Sequence, residues 1–366
     1  MTSGADLRAA RTRAGYSLNA MARQAHFTKS YLSMVETGKR LVPPEVVTAY
    51  EQVLGAPLAP PPTDPVRVAH EWLVSESPIA QQTRSGRRVG ASLAENLEHR
   101  VVELRHLDDT VSSTNLGPVV TKELTEAQHL LANASFTEAV GRRLFAVVGE
   151  LAQLAGWVAS DAGQYRQAER LYLSGVDAAN NAQDRILGAQ LLSSLSYQMA
   201  NVGNPQDAAL VARTAVAGAK HATPVVRTLF LERLAWASAK AGEHEDTRRA
   251  LDEVNDTFER RGPDEPEWVY WLDQKEIDVM AGRCLIQLGR PGDAEPLLSH
   301  AIARYPAEHA REIALYLSWL AESHARAGDT DAAWESLRRS RSYASAMPSE
   351  RADTRLDFIE RLLRQS

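Results

Sequence analysis

Residues 30–40 read SYLSMVETGKR. On a helix at about 100° per residue, Leu32 and Val35 share one face, with Tyr31 at its edge. Ser30, Ser33 and Met34 share the opposite face, with Lys29 at its margin. Gly38 accepts the left-handed conformation needed past a helix end, and Lys39 and Arg40 follow directly. An apolar back, a small polar front and a basic exit suit a helix lying in a DNA groove. An ordinary surface helix carries the same apolar stripe, so the flanking sequence decides.

The flanks describe more short helices. Residues 6–13 (DLRAARTR) form one, ended by Gly15. Ser17 caps a second, SLNAMARQA, with Leu18, Met21 and Ala22 at core spacing. His26 and Phe27 turn tightly, and Thr28 caps the helix of the opening stretch, with Phe27 placed to staple onto Leu32. Pro43 and Pro44 start a fourth, PPEVVTAYEQVL, which stops at Gly55. Short helices with a three-to-four-residue turn between the second and third describe a helix-turn-helix over residues 1–55.

SLNAMARQAHFTKSYLSMVETGKRLVP resembles the Xre-type DNA-binding domain of Cro and the phage repressors. Met21, Ala22, Thr28, Leu32, Ser33, Val35, Glu36, Gly38, Arg40 and Pro43 or Pro44 fill the matching places. One place departs: Leu18 stands where many members carry a Gln that contacts phosphate or base. The resemblance implies a DNA-facing set of Arg23, Thr28, Lys29, Ser30, Ser33, Met34, Lys39 and Arg40. Lys29, Ser30, Ser33 and Met34 are expected at base edges; Thr28, its helix N-terminus, Lys39 and Arg40 are expected at phosphates. Glu36 reads as structural.

Charge agrees. Residues 1–55 carry seven Lys/Arg against four Asp/Glu, whereas the whole chain stands at −6. A basic headpiece on an acidic body suits a DNA reader whose larger part must not stick to DNA. At 366 residues and 44% hydrophobic, the chain expects two or more domains with real cores. The single cysteine, Cys284, rules out an intramolecular disulfide and suits a reducing cytoplasm. No leader and no long apolar run is present, so a cytoplasmic protein without membrane contact is expected.

Residues 56–90 read as a proline-rich and basic linker with a short helix, VRVAHEWLV; Arg84, Arg87 and Arg88 there form either an exposed loop or a second DNA-touching arm. Residues 91–136 read as a helical hairpin with a loop at Asn115–Pro118. In residues 137–366 a repeat appears. The turns DAGQY, NVGNP, KAGEH, QLGRP and RAGDT place glycines at 163, 203, 242, 289 and 328, with spacings of 40, 39, 47 and 39. Seven residues before them stand Gly156, Ser196, Ala235, Gly282 and Ala321; five after stand Ala168, Ala208, Thr247, Ala294 and Ala333. Small residues at both points let paired helices approach closely. The pattern is similar to about five tetratricopeptide (TPR) repeats with helices longer than the usual unit of about 34 residues. The expected fold is therefore all-α: a helix-turn-helix domain followed by a TPR-type superhelix.

By that resemblance, positions six, ten and two residues before each turn glycine line a concave face. Six before stand Trp157, Tyr197, Trp236, Arg283 and Glu322; ten before stand Gln153, Ser193, Glu232, Val279 and Ser318, with Trp319 beside the last. Two before stand Asp161, Asn201, Lys240, Gln287 and Arg326. The candidate ligand-binding set is Gln153, Trp157, Asp161, Tyr197, Asn201, Glu232, Trp236, Arg283, Trp319 and Glu322. Aromatics interleaved with amides and charges fit a groove for a small molecule or peptide; the competing reading is that Trp157 and Trp236 only pack between helices.

Catalysis finds no support. His70-Glu71 lacks the second histidine of a zinc motif, and no phosphate-binding glycine loop or nucleophile elbow occurs. No cofactor or metal is expected, and Cys284 reads as a buried apolar residue. Xre-type headpieces joined to TPR bodies resemble cytoplasmic transcription regulators, including peptide-pheromone receptors. In those, concave asparagines hold the peptide backbone, and here only Asn201 takes such a place. A double-stranded DNA operator, a homodimer and an effector are the implied partners, with effector occupancy changing how two headpieces are spaced. The alternative is an adaptor whose headpiece pairs proteins.

Overall fold

The computed structural model describes residues 4–40, 42–54, 64–74, 87–306, 309–345 and 350–365. The chain divides into two compact units, 1–64 and 65–366. The fold is all-α; among the described residues there is one two-residue parallel pairing, between β1 (Arg87–Arg88) and β2 (Ala134–Ser135). The pairing holds Arg88 in a strand rather than in the expected loop. Gly55, the proline-rich stretch that follows it, and residues 75–86 with Arg84 lie outside the described residues.

The first unit contains α1 (Gly4–Arg13), α2 (Leu18–Gln24), α3 (Lys29–Glu36) and α4 (Pro44–Leu54). Both expected caps form: Ser17 Oγ accepts from Ala20 N at 3.1 Å, and Thr28 Oγ1 from Tyr31 N at 3.2 Å. His26, at φ 58°, and Gly38, at φ 71°, turn the chain at either end of α3. Phe27 departs from the expected staple in detail: its ring stacks on Tyr31, centroids 5.5 Å apart, while both pack on the cluster containing Leu32. Leu7, Met21, Leu32, Val35, Val46 and Tyr50 form the fully buried core. Glu36 sits inside it. Arg11 grips its carboxylate with two bonds, Nε to Oε1 at 2.7 Å and a terminal nitrogen to Oε2 at 2.8 Å, and Tyr50 donates to Oε1 at 2.8 Å. One carboxylate thus ties α1, α3 and α4 together.

The second unit opens with α5 (Pro65–Val74), α6 (Ala91–Asp108) and α7 (Ser113–Asn133). The expected loop at Asn115–Pro118 is absent, because α7 runs through it with Pro118 inside. Pro118 lies near the helix start and forfeits one backbone bond, while Leu116 and Val120 are buried on either side of it. Five helix pairs follow: α8 (Glu138–Asp161) with α9 (Tyr165–Ala182), α10 (Arg185–Val202) with α11 (Pro205–Gly218), and α12 (Pro224–Lys240) with α13 (His244–Phe258). Then come α14 (Gln274–Gln287) with α15 (Pro291–Ala303), and α16 (Ala310–Ala327) with α17 (Thr330–Ala344); α18 (Glu350–Gln365) closes the series.

Both small-residue columns are buried at every pair. At Gly156 a Cβ would stand 2.5 Å from the Tyr172 ring, so only glycine fits. Four of the five turn glycines take positive φ; Gly203, at −121°, does not, and Asn204 after it caps α11 ahead of Pro205. The 47-residue spacing holds an insertion between α13 and α14 with a 3-10 turn at Glu267–Val269. Helix α5, expected in a linker, is instead part of this unit. Its Trp72 is 2% exposed and fills a socket where a Cβ on Gly188 or Gly218 would stand 2.3 or 2.2 Å from the ring. Arg185 stacks on Trp72 at 4.4 Å and donates to its carbonyl at 2.6 Å.

The Glu36 arrangement predicts a specific instability. Burial works to raise this carboxyl, but hydrogen bonds from Arg11 and Tyr50 outweigh it and hold it below the ordinary value. Its contribution is therefore present above the ordinary carboxylate range and is lost as pH falls through the depressed value. Glu36→Gln should destabilise the first unit by about 1–3 kcal/mol, since it removes the counter-charge that half-buried Arg11 grips with two hydrogen bonds. Hydrogen exchange at α1, α3 and α4 amides should rise in the variant at pH 7. Unchanged protection would refute the role.

Candidate functional site

Two surfaces answer to the sequence expectations, one in each unit. In the first, α3 turns Leu32 and Val35 into the core, which leaves Lys29, Ser30 and Met34 exposed and Ser33 half-buried. Thr28, at the helix N-terminus, is exposed, as are Arg23 in the last turn of α2 and Lys39 and Arg40 beyond Gly38. Arg40 is braced: its guanidinium lies 5.1 Å from the Tyr31 ring centroid, and its backbone N–H reaches the Met34 carbonyl at 3.1 Å. Leu18 is half-buried against the core rather than offered outward.

In the second unit the structure brings all ten candidate groove residues to two adjoining cavities of about 420 and 390 Å³. Gln153 and Glu232 line the larger; Asn201, Trp236, Trp319 and Glu322 line the smaller; Trp157, Asp161, Tyr197 and Arg283 line both. The columns differ in quality. Every residue six before a turn glycine reaches the smaller cavity. Of those ten before, Ser193, Val279 and Ser318 are instead buried and line neither cavity.

The shared wall is aromatic and cationic. Trp157 and Tyr197 stack with centroids 5.9 Å apart, and Trp236 meets Trp319 edge-on at 5.4 Å. Trp236 is 1% exposed, so it backs the wall rather than offering a face; its Nε1 donates to Asn201 at 3.2 Å. Arg283 lies over Trp236 and Trp319, at 4.3 and 4.8 Å, and donates to the Tyr197 hydroxyl at 3.0 Å. Glu322 accepts from Arg326 at 2.7 Å and from Arg355.

Seven Asp/Glu and five Lys/Arg line the larger cavity, and burial keeps some of the carboxyls from ionising freely. Burial, helped by the like charge of Glu276, pushes the Glu232 carboxyl up to about 8. Burial also pushes Asp108 up to about 6, against the pull of Arg311. Sequence reasoning missed how this cavity is bounded. The end of α6 meets the insertion between α13 and α14: His106 pairs with Glu267 at 2.7 Å, and Tyr270 donates to Asp109 at 2.5 Å. Arg311 stands 3.6 Å from Asp108. The irregular 47-residue spacing was the one available signal for this contact. Arg233 was also missed; it bonds Ser194 at 2.9 Å and lies 5.6 Å from the rings of Trp157 and Tyr197. Among the described residues no cluster of metal-ligating side chains occurs, and no helix is long and apolar enough to cross a membrane.

A family model described as a helix-turn-helix domain matches residues 4–60. No curated protein matches the sequence. Among solved structures, the chain is similar to BtubC (BKLC) from P. vanneervenii, at 16% identity over 64% of this chain and 92% of that one, with a TM-score of 0.44. PlcR of Bacillus thuringiensis, in complex with the peptide PapR7 and DNA, is matched at 11% identity over 81% and 92%, with a TM-score of 0.39. The apo form of the competence regulator ComR from Streptococcus vestibularis is matched at 11% identity over 89% and 97%, with a TM-score of 0.37.

The raised carboxyl of Glu232 fixes a pH dependence. Between the ordinary glutamate value and about 8 the folded state holds a proton that the unfolded state has lost, so stability falls as pH rises through that window. Thermal midpoints of wild type and Glu232→Gln should converge near pH 5, with the variant higher at pH 8. A wild-type midpoint equal to or above that of the variant at pH 8 would show Glu232 ionised and stabilised in the fold.

Proposed function

We propose that this chain is a sequence-specific DNA-binding transcriptional regulator of Xre type, whose TPR-like body binds an effector and carries a homodimer contact. The observation that supports it most is α3 itself. Its exposed side is small, polar and basic, with an exposed helix N-terminus, capped by Thr28, at one end and Lys39 and Arg40 at the other. Free N–H groups and a positive dipole end attract phosphate, and short polar side chains permit close approach to base edges. A helix evolved to pair with protein would present larger apolar residues; here only Met34, 40% exposed, is of that kind. One such headpiece makes few base contacts, so specificity generally takes two half-sites about one helical turn apart, which favours a dimer. The cavities are of the size that takes a drug-sized ligand or a peptide end, and a cytoplasmic setting follows from the role.

Genome-wide recovery of bound DNA, followed by affinity measurements on the recovered site, tests this. Lys29→Ala should weaken binding by about 1–3 kcal/mol and relax the preferred sequence. Arg40→Ala should weaken all sites alike and reduce the salt slope by about one. Sedimentation on that DNA should give two chains per site. If no DNA is enriched, or both variants bind as wild type does, the helix-turn-helix serves protein contacts and the adaptor reading replaces this one.

A further inference from the structure

The smaller cavity carries more positive charge than its own carboxylates answer. Lys240, Arg283, Arg326, Arg355 and Arg361 line it, against Asp161 and Glu322. Both carboxylates are engaged: Glu322 by Arg326 and Arg355, and Asp161 by the Ser113 hydroxyl at 2.5 Å. Arg283 is 3% exposed. Among the described residues its one hydrogen-bond partner is a neutral hydroxyl, that of Tyr197, and its Nε has none. Lys240 is half-buried, 5.7 Å from the Trp236 ring centroid. Neither cation makes an ion pair among the described residues. Burial holds Lys240 below the ordinary lysine value, and repulsion from Arg355, Arg283 and Arg326 adds to it against the pull of Glu322.

A guanidinium does not shed its proton in proteins. The carboxyl that Arg283 feels is the buried Glu232, which burial pushes up to about 8 and so keeps largely neutral at pH 7. Burying a guanidinium without an ionised counter-charge is strongly disfavoured unless something else supplies one. Aromatic faces relieve part of that penalty, and here they also hold the Arg283 fork in one orientation, over Trp236 and Trp319. A fixed fork with an open N–H is suited to a planar carboxylate, which it can bind with two parallel hydrogen bonds.

We propose that the smaller cavity is an acid-recognition site, in which a carboxylate of the effector docks between Arg283 and Lys240 while its apolar part runs along Trp157 and Leu315. These last two side chains line both cavities, so a ligand anchored at Arg283 extends toward the larger one. The proposal rests on the effector reading above and adds to it the chemistry of the ligand. Two sources supply such a group, a small organic acid or the C-terminus of a peptide.

The test uses the full chain and two probe pairs: phenylacetate against phenylacetamide, and a pool of apolar heptapeptides with free against amidated C-termini. Calorimetry should find the charged member of one pair bound at least tenfold tighter than its neutral partner, and that pair identifies the source. The preference should fall at least tenfold in Arg283→Met and be partly kept in Arg283→Lys. Lys240→Met carries the same test should Arg283→Met fail to fold. Equal binding within both pairs, no binding of any probe, or a preference that survives both methionine variants would overturn the proposal. A charge preference without change in operator affinity would leave the acid site standing and remove the effector reading. Neutral probes that shift operator affinity as strongly as charged ones would do the reverse.

Discussion

The close approach of paired helices is the constraint on which the second unit depends. Gly156, Ser196, Ala235, Gly282 and Ala321 are buried where each first helix meets its partner, and opposite them stand Ala168, Ala208, Thr247, Ala294 and Ala333. The tightness is literal at Gly156, whose missing Cβ leaves room for the Tyr172 ring. This column also dictates the lining of the groove. The residue that follows each small one is turned by about 100° around the helix. It therefore points away from the partner helix and toward the concave side. Trp157, Tyr197, Trp236, Arg283 and Glu322 converge on one cavity because each stands one position after a tight contact.

The first unit satisfies its buried carboxylate fully, whereas the second does so for Glu322 but not for every buried polar group. In the first, the buried carboxylate of Glu36 has a guanidinium and a hydroxyl on it, and the Arg11 fork also reaches the Tyr16 carbonyl at 2.8 Å. That is the pattern of a group kept to hold helices in register. In the second, buried Arg283 Nε, Glu232 Oε1 and Trp319 Nε1 have no partner among the described residues. Each such group costs about 1–3 kcal/mol relative to a bonded one. All three belong to residues that line a cavity. A unit with an extensive apolar core tolerates those losses, whereas a domain of four short helices has little reserve for them.

Much of this was legible in the sequence, for reasons that differ by region. The caps at Ser17 and Thr28 and the turn at Gly38 are local backbone demands, and local demands leave residue signatures. The groove column was legible because a repeat multiplies one faint signal five times. The socket of Trp72 was not, since Gly188 and Gly218 read as ordinary helix glycines until a distant ring fills the space above them. Pro118 misled in the other direction, because its usual meaning as a helix breaker gave way to the burial of Leu116 and Val120. Trp236 was open to two readings, a groove contact or packing between helices, and at 1% exposed it backs the wall, since spacing shows direction but not depth.

What bounds the groove lies outside the repeat. The smaller cavity takes its walls from the repeated column and from α18, through Arg355, Phe358 and Arg361. The larger takes Asp108 and Asp109 from the end of α6, and Trp268, Tyr270 and Trp271 from the insertion between α13 and α14. A regular stack of helix pairs offers an open channel, because each pair touches only its neighbours. Here His106 and Asp109 reach across to Glu267 and Tyr270, more than 150 residues along the chain. The departures from periodicity, rather than the periodicity, are therefore what turn a channel into two bounded cavities. They also supply three of the seven Asp/Glu that line the larger one, since Asp108 and Asp109 stand at the end of α6 and Asp273 at the end of the insertion. The smaller cavity, where Lys and Arg outnumber Asp and Glu, and the larger one, where the reverse holds, share two charged side chains of opposite sign, Asp161 and Arg283, so the balance of charge changes across them.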